Sequence, residues 1–118
     1  MPMLEPSEFA GAVPVDGYGP GFFRVEGAVR RGPVIVTGQG ARDWAGLQDI
    51  QPLLALSGQI DVLFLGMGGD IAIPPPGLID ALEAAGIMPE PMNTPSAARS
   101  YNVTLSEGRR VACALIPL

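Results

Sequence analysis

The chain has 118 residues, with 12 acidic and 7 basic side chains and no histidine, giving a formal net charge of −5. That length is one domain, and 47% hydrophobic content is enough for a real core. The acidic balance, with arginine as its only cation, disfavours a nucleic-acid partner. The missing histidine removes Ser-His and Cys-His nucleophile pairs, histidine metal sites and any imidazole base.

Met1 to Ala10 carries neither a cationic start nor an apolar run of secretory length. The first dozen residues are expected to be poorly ordered, and residues 1–118 to form one domain. Phe22 to Val29, FFRVEGAV, and Pro33 to Thr37, PVIVT, are both rich in strand formers. Arg30-Arg31-Gly32 lies between them, which predicts a hairpin of these two strands. Gly38 to Gly46 then reads as loop, with Trp44 as a lid over a core edge.

Asp49 to Leu56 predicts a short helix with Asp49 as N-cap and Pro52 in the first turn. Ile60 to Leu65 is apolar apart from Asp61 and is set between Gly58 and Gly66, the pattern of a central strand buried on both faces. Pro76 to Ala85 is the next helix, with Leu78, Ile79, Leu82 and Ala85 on its apolar face and Gly86 closing it. Ile87 to Met92 is a short strand placed at an edge by Pro89 and Pro91. Thr94-Pro95, with threonine at N-cap and proline at N1, starts a helix that runs to about Glu107, and Gly108 ends it. Val111 to Ile116 is a last buried strand. The order predicts an α/β layered sandwich with a mixed β-sheet, an N-terminal β-hairpin and a β-α-β-α-β C-terminal half.

Cys113 is the one cysteine, so no internal disulfide is possible. It lies within the last apolar strand, where it reads as a small buried hydrophobe rather than a reactive thiol. With one cysteine and no histidine, no metal site is expected, and no cofactor. The longest apolar stretch, Val62 to Gly69, falls far short of the roughly 20 residues a membrane helix needs. A soluble, cytoplasmic chain without membrane insertion is the expectation.

The stretch most like a ligand site is FLGMGGDIAIPPP, Phe64 to Pro76. Gly66 and Gly68 have the spacing of a dinucleotide fingerprint, but Ile71 stands where the third glycine belongs. Three prolines follow, and proline has no N–H to offer a phosphate. A lysine-bearing phosphate loop is impossible in a chain without lysine. The glycines therefore read as a strand exit, and the loops after Leu65 and Met92 open on one edge if those strands are parallel. A shallow cleft there would be lined by Gly66, Gly68, Gly69, Asp70, Asn93 and Thr94. Arg99, Tyr101 and Asn102 of the following helix, and Trp44, complete the candidate set.

The segment Met92 to Leu115 reads MNTPSAARSYNVTLSEGRRVACAL. Met-x-Thr, Ala-x-Arg-x-Tyr-Asn and Glu-Gly-Arg-Arg-Val-x-x-Ala-Leu resemble the Mth-domain family of uncharacterised small proteins. Gly17-Tyr18-Gly19, Phe23-Arg24-Val25, Gly32, Trp44 and the run at Leu65, Gly66 and Gly68 add to the resemblance, which spans about Pro14 to Leu115. Relatives in that family include the mitochondrial complex I assembly factor and the adipogenesis-associated Mth-domain protein. The resemblance implies an α/β fold, no established reaction and no catalytic residue, and for the mitochondrial relatives assembly of complex I through protein contacts. Asn93 stands where the family commonly has aspartate, which takes away a carboxylate base. A non-enzymatic binding or assembly protein with an unidentified protein partner is the first expectation. The alternative is a small-molecule binder or enzyme in which Arg99 clamps an anion while Tyr101 or Asp70 moves a proton.

Overall fold

The computed structural model describes residues 9–69 and 73–118. Three strands, β1 (Gly17–Gly19), β2 (Phe22–Val25) and β3 (Ala28–Arg31), form a small antiparallel sheet. A five-stranded mixed sheet contains β4 (Val34–Thr37), β5 (Gly40–Asp43), β6 (Val62–Gly66), β7 (Met88–Met92) and β8 (Val111–Leu115), in the order β5-β4-β8-β6-β7. Strands β6, β7 and β8 run parallel, and β4 is antiparallel to both β5 and β8. Helices α1 (Gln51–Leu54), α2 (Leu78–Ala84) and α3 (Thr94–Ser106) complete the fold.

Alternation along the large sheet separates two cores. Val34, Val36, Val62, Phe64, Val111, Cys113 and Leu115 face α3 and the small sheet. Ile35, Leu63, Leu65, Ala112 and Ala114 face the layer that contains α1 and α2. Both β6 and β8 are buried along their whole length, as central strands covered on both faces must be. Phe9, inside the stretch expected to be poorly ordered, is buried in the first of these cores.

The expected hairpin across Arg30-Arg31-Gly32 is corrected. Phe22 to Val29 is two strands, folded on themselves at Glu26 (φ 55) and Gly27 (φ 77), and Val25 pairs with Ala28. Two consecutive positive φ angles make the tight reversal that suits strand twist, and glycine accepts one of them without strain. Val34–Thr37 leaves for the other sheet, where it pairs with β8. The loop predicted from Gly38 to Gly46 holds strand β5, which returns on β4 through Gly38 and Gln39.

Two predicted caps also shift by one residue. Helix α1 starts after Ile50, while the Asp49 backbone oxygen accepts the indole N–H of Trp44 at 2.8 Å. Helix α3 is capped by Asn93, whose side-chain oxygen accepts the Ser96 N–H at 2.9 Å, and Thr94 is inside the helix.

Strand β7 is at the edge, as its prolines require. The Met88 N–H donates to the Asp61 carbonyl at 2.9 Å, and the Met92 carbonyl accepts from Met67 at 2.8 Å. Met88, Glu90 and Met92 therefore turn their backbone groups toward β6. Pro89 and Pro91 occupy the alternate positions on the open side, where the lost N–H breaks no ladder bond.

Candidate functional site

The parallel arrangement of β6 and β7 brings the loops after Gly66 and after Met92 to one edge. There the exit of β6, the start of α3 and the exit of β8 are tied into one knot. Thr94 donates its backbone N–H to the Gly68 carbonyl at 2.8 Å. Its hydroxyl accepts the Gly68 N–H at 2.9 Å and donates to the Ile116 carbonyl at 2.6 Å. Ile116 in turn donates its N–H to the Gly66 carbonyl at 2.9 Å. Thr94 is fully buried, and both of its hydroxyl's hydrogen-bonding roles are taken.

Gly66 shows why this knot needs glycine. A Cβ there would lie 2.8 Å from Leu115 Cδ2, 2.9 Å from the Thr94 hydroxyl and 3.0 Å from Thr94 Cα. No side chain fits between strand and helix at that approach. Gly69 is exposed, and a Cβ there would lie 3.7 Å from the Leu118 side chain. The glycine run and the threonine are mutually packed, so this part of the edge is closed. Asp70 lies outside the described residues.

Further along α3, Tyr101 and Asn102 spend their polar atoms on the N-terminal segment. The buried Tyr101 hydroxyl donates to the Val13 carbonyl at 2.7 Å. Asn102 grips Val15 twice, accepting its N–H at 2.9 Å and donating to its carbonyl at 2.8 Å. Burial pushes the Tyr101 phenol well above its ordinary range, and the neighbouring Cys113 adds to this. The same burial pushes the Cys113 thiol up, offset in part by a hydrogen bond to the Val36 backbone. Neither group has an ionised form accessible for proton transfer near neutrality.

Arg99 has a different setting. It is exposed, five residues beyond Thr94 and so roughly 7 Å along the helix axis, and it forms no ion pair among the described residues. Trp44 is not part of this edge. It is buried in the other core with Leu53, Leu56 and Ile35, on the opposite face of the large sheet. The structure thus brings together Gly66, Gly68 and Thr94 with their neighbours Gly69 and Asn93. It sets Arg99, Tyr101 and Asn102 along α3 and keeps Trp44 apart.

A recess of about 520 Å³ opens at the other end of the sheet. Thr37, Gln39, Gln59, Leu105 and Arg109 are among its lining residues. The sequence feature nearest to it is the pair Arg109-Arg110 that leads into β8. Arg110 forms a two-pronged pair with Asp61, at 2.7 and 3.2 Å, and also donates to the Gly58 carbonyl at 3.0 Å. That hydrogen-bonded guanidinium holds the Asp61 carboxyl below the ordinary carboxylate range.

Known proteins fit this geometry. A family model described as a protein of unknown function (DUF498/DUF598) matches residues 15–116. An uncharacterised protein of Rhodobacter capsulatus is 59% identical over 110 residues, covering 93% of this chain and 89% of that protein. The mouse NADH dehydrogenase [ubiquinone] 1 alpha subcomplex assembly factor 3 is 30% identical over 118 residues. The match covers 94% of this chain and 64% of that protein. Among solved structures, a Bartonella henselae outer membrane protein is 35% identical with a TM-score of 0.81, covering 91% of this chain and 96% of that one. A Mth938-like domain from Bordetella pertussis has a TM-score of 0.76 at 24% identity, covering 99% and 91%, and shares the fold. Among the described residues, no helix is long and apolar enough to cross a membrane.

Proposed function

Because the chain belongs to the family of proteins of unknown function described as DUF498/DUF598, and is similar to a NADH dehydrogenase assembly factor, we propose that it is a non-enzymatic binding or assembly protein. Its partner in this reading is another protein, and its setting is the assembly of respiratory complex I.

The observation that carries this reading is the closure of the candidate edge. The polar groups best placed to act on a substrate are already bound to backbone: Thr94 to Gly68 and Ile116, Tyr101 to Val13, Asn102 to Val15. They hold three chain segments in register, which suits a scaffold whose surface is read by a partner. Arg99, exposed further along α3 from Asn93 and the glycine exit, is the candidate contact on this helix. A small-molecule cleft at the same place has less to stand on, because Thr94 and Leu115 fill the space around Gly66.

The test is genetic and biochemical together. The coding sequence is deleted, and assembled NADH dehydrogenase in the membrane is quantified on native gels. The expected result is a several-fold fall, restored by the native chain and only weakly by an Arg99→Glu variant that folds normally. Unchanged levels of the assembled complex would overturn the proposal.

A further inference from the structure

The small sheet presents a surface unlike the rest of the molecule. Its register puts Gly17, Arg24 and Val29 in one cross-strand row, and Gly19, Phe22 and Arg31 in the next. Residues two apart on a strand share a face, so both rows look the same way. The opposite face carries Phe23 and Val25 into the core. The outward face therefore holds two arginines and two apolar side chains. Arg24 and Arg31 are exposed, Val29 is 49% exposed and Phe22 is half-buried. The Phe22 ring lies across Gly19, where a Cβ would sit 2.5 Å from Cε1, and a Cβ at Gly17 would meet nothing within 4 Å. On the middle strand of this face the Phe22 ring thus covers Gly19 and leaves Gly17 open.

Its charge is also distinctive. Among the described residues, neither Arg24 nor Arg31 forms an ion pair. Asp16, exposed just before β1 and bonded through its N–H to the Arg24 carbonyl at 2.9 Å, forms no ion pair with either arginine, and two other carboxylates are engaged elsewhere. Asp43 pairs with Arg30, on the core side of the sheet, at 3.3 Å. Glu26 directs a carboxylate oxygen to Gly40, 3.3 Å from where a Cβ would stand. The three strands contain Arg24, Arg30 and Arg31 and no acidic residue, whereas α2 contains Asp80 and Glu83 and no basic one. In a chain of net charge −5, Arg24 and Arg31 put two positive charges on one face, with Arg30 on the other.

We propose that the outer face of β1–β3 is a docking surface for an acidic protein segment. Carboxylates of two alternate residues of that segment meet Arg24 and Arg31, and the methylene stems of the same side chains lie over Phe22 and Val29. The two arginines are diagonal cross-strand neighbours, about 7–8 Å apart at the backbone. Carboxylates two residues apart on an extended strand are spaced by about 6.6–6.8 Å, which matches. Arginine pairs with carboxylates through two parallel hydrogen bonds, and arginine with aromatics is the composition in which interface energy concentrates. This surface names the partner chemistry for the binding function above and rests on that reading. Its test uses purified components, so it succeeds or fails independently of any change in respiratory complex.

The probe is the peptide Glu-Phe-Glu-Phe-Glu, titrated into the isotope-labelled full chain and followed by amide chemical shifts. Its lysine counterpart and phosphatidylglycerol vesicles are run in parallel. Shifts confined to Phe22–Val25 and Ala28–Arg31 are expected. Binding should weaken at least ~10-fold in the Arg24→Glu/Arg31→Glu variant and fall with added salt, as exposed charge pairs do. An Arg109→Glu control should bind like the native chain. Because both arginines are exposed, the double variant should keep the native spectrum elsewhere, which separates lost binding from lost folding. Absent binding, shifts mapping elsewhere, equal binding of the lysine peptide, or undiminished binding by the double variant would overturn the proposal. Binding of vesicles without binding of peptide would overturn it in favour of a membrane surface.

Discussion

Gly68 and Thr94, 26 residues apart in sequence, exchange two hydrogen bonds: N–H to hydroxyl at 2.9 Å, and carbonyl from N–H at 2.8 Å. The threonine hydroxyl passes the connection on to Ile116. Thr94→Val keeps the side-chain shape and removes both hydroxyl bonds, leaving a buried N–H and a carbonyl without a partner. At about 1–3 kcal/mol for each such group, urea denaturation should show a loss of about 2–6 kcal/mol. Thr94→Ser keeps the hydroxyl and should lose about 1 kcal/mol. A valine variant as stable as the native chain would remove this knot from the stability account.

Gly66→Ala tests the approach of strand to helix. The added methyl would lie 2.8 Å from Leu115 and 2.9 Å from Thr94. Overpacking of that kind costs typically about 1–3 kcal/mol. Thermal melting should therefore drop clearly, whereas Gly17→Ala, where a Cβ meets nothing within 4 Å, should change little.

Asn102 holds Val15 by two bonds and Tyr101 holds Val13 by one. Asn102→Ala should cost about 2–3 kcal/mol, and Tyr101→Phe about 1 kcal/mol. Amide exchange supplies the sharper readout. Protection at Val15 should collapse in Asn102→Ala while that of β6 and β8 persists down to the new global stability. Unchanged protection at Val15 would show that the segment is held by something else.

Alkaline pH should destabilise the fold in two steps. Burial raises the folded-state pKa of Cys113 above its ordinary value of 9.0 and that of Tyr101 above 10.0. For a raised pKa the stabilisation is complete below the unfolded value and is lost as pH climbs toward the folded one. The unfolded chain releases these protons first, so stability should fall by about 1.4 kcal/mol per pH unit for each group once its unfolded pKa is passed. Cys113→Ala should abolish the first decline, near pH 9, and Tyr101→Phe the second, above pH 10. Denaturation curves from pH 8 to 11 check this, and a native Cys113 that reacted readily with a thiol reagent would contradict it.

Residues whose burial or backbone geometry is locally encoded were legible in the sequence. The runs read at Ile60–Leu65 and Val111–Ile116 allowed no place except the centre of a sheet, where β6 and β8 lie, and Pro89 with Pro91 allowed β7 no place except an edge. Gly86 and Gly108 marked where α2 and α3 end. The hairpin partner was not legible, because its turn is Glu26-Gly27. Glutamate with a positive φ is not a recognised turn signal, and Phe22–Val29 therefore read as one strand. Strand β5, GARD, is short and half charged, and is a strand only because β4 pairs with it. At the candidate edge, the glycines and Thr94 were identifiable as neighbours, but whether they opened a cleft or closed one depended on distances of a few tenths of an ångström. Trp44 was assigned to that edge because the sequence carries no record of which side of the sheet a loop crosses.

The two prolines of β7 bear on how this protein can be recognised at all. An open sheet edge ordinarily invites another chain to add a strand by main-chain bonding, which is indifferent to side-chain identity and prone to run on without end. Here the outward positions of β7 are Pro89 and Pro91, and a row of carbonyls without donors cannot template a new strand. The domain thereby gives up the least selective mode of association on that flank. A partner approaching from that side has to read side chains, and so discriminates by chemistry rather than by backbone.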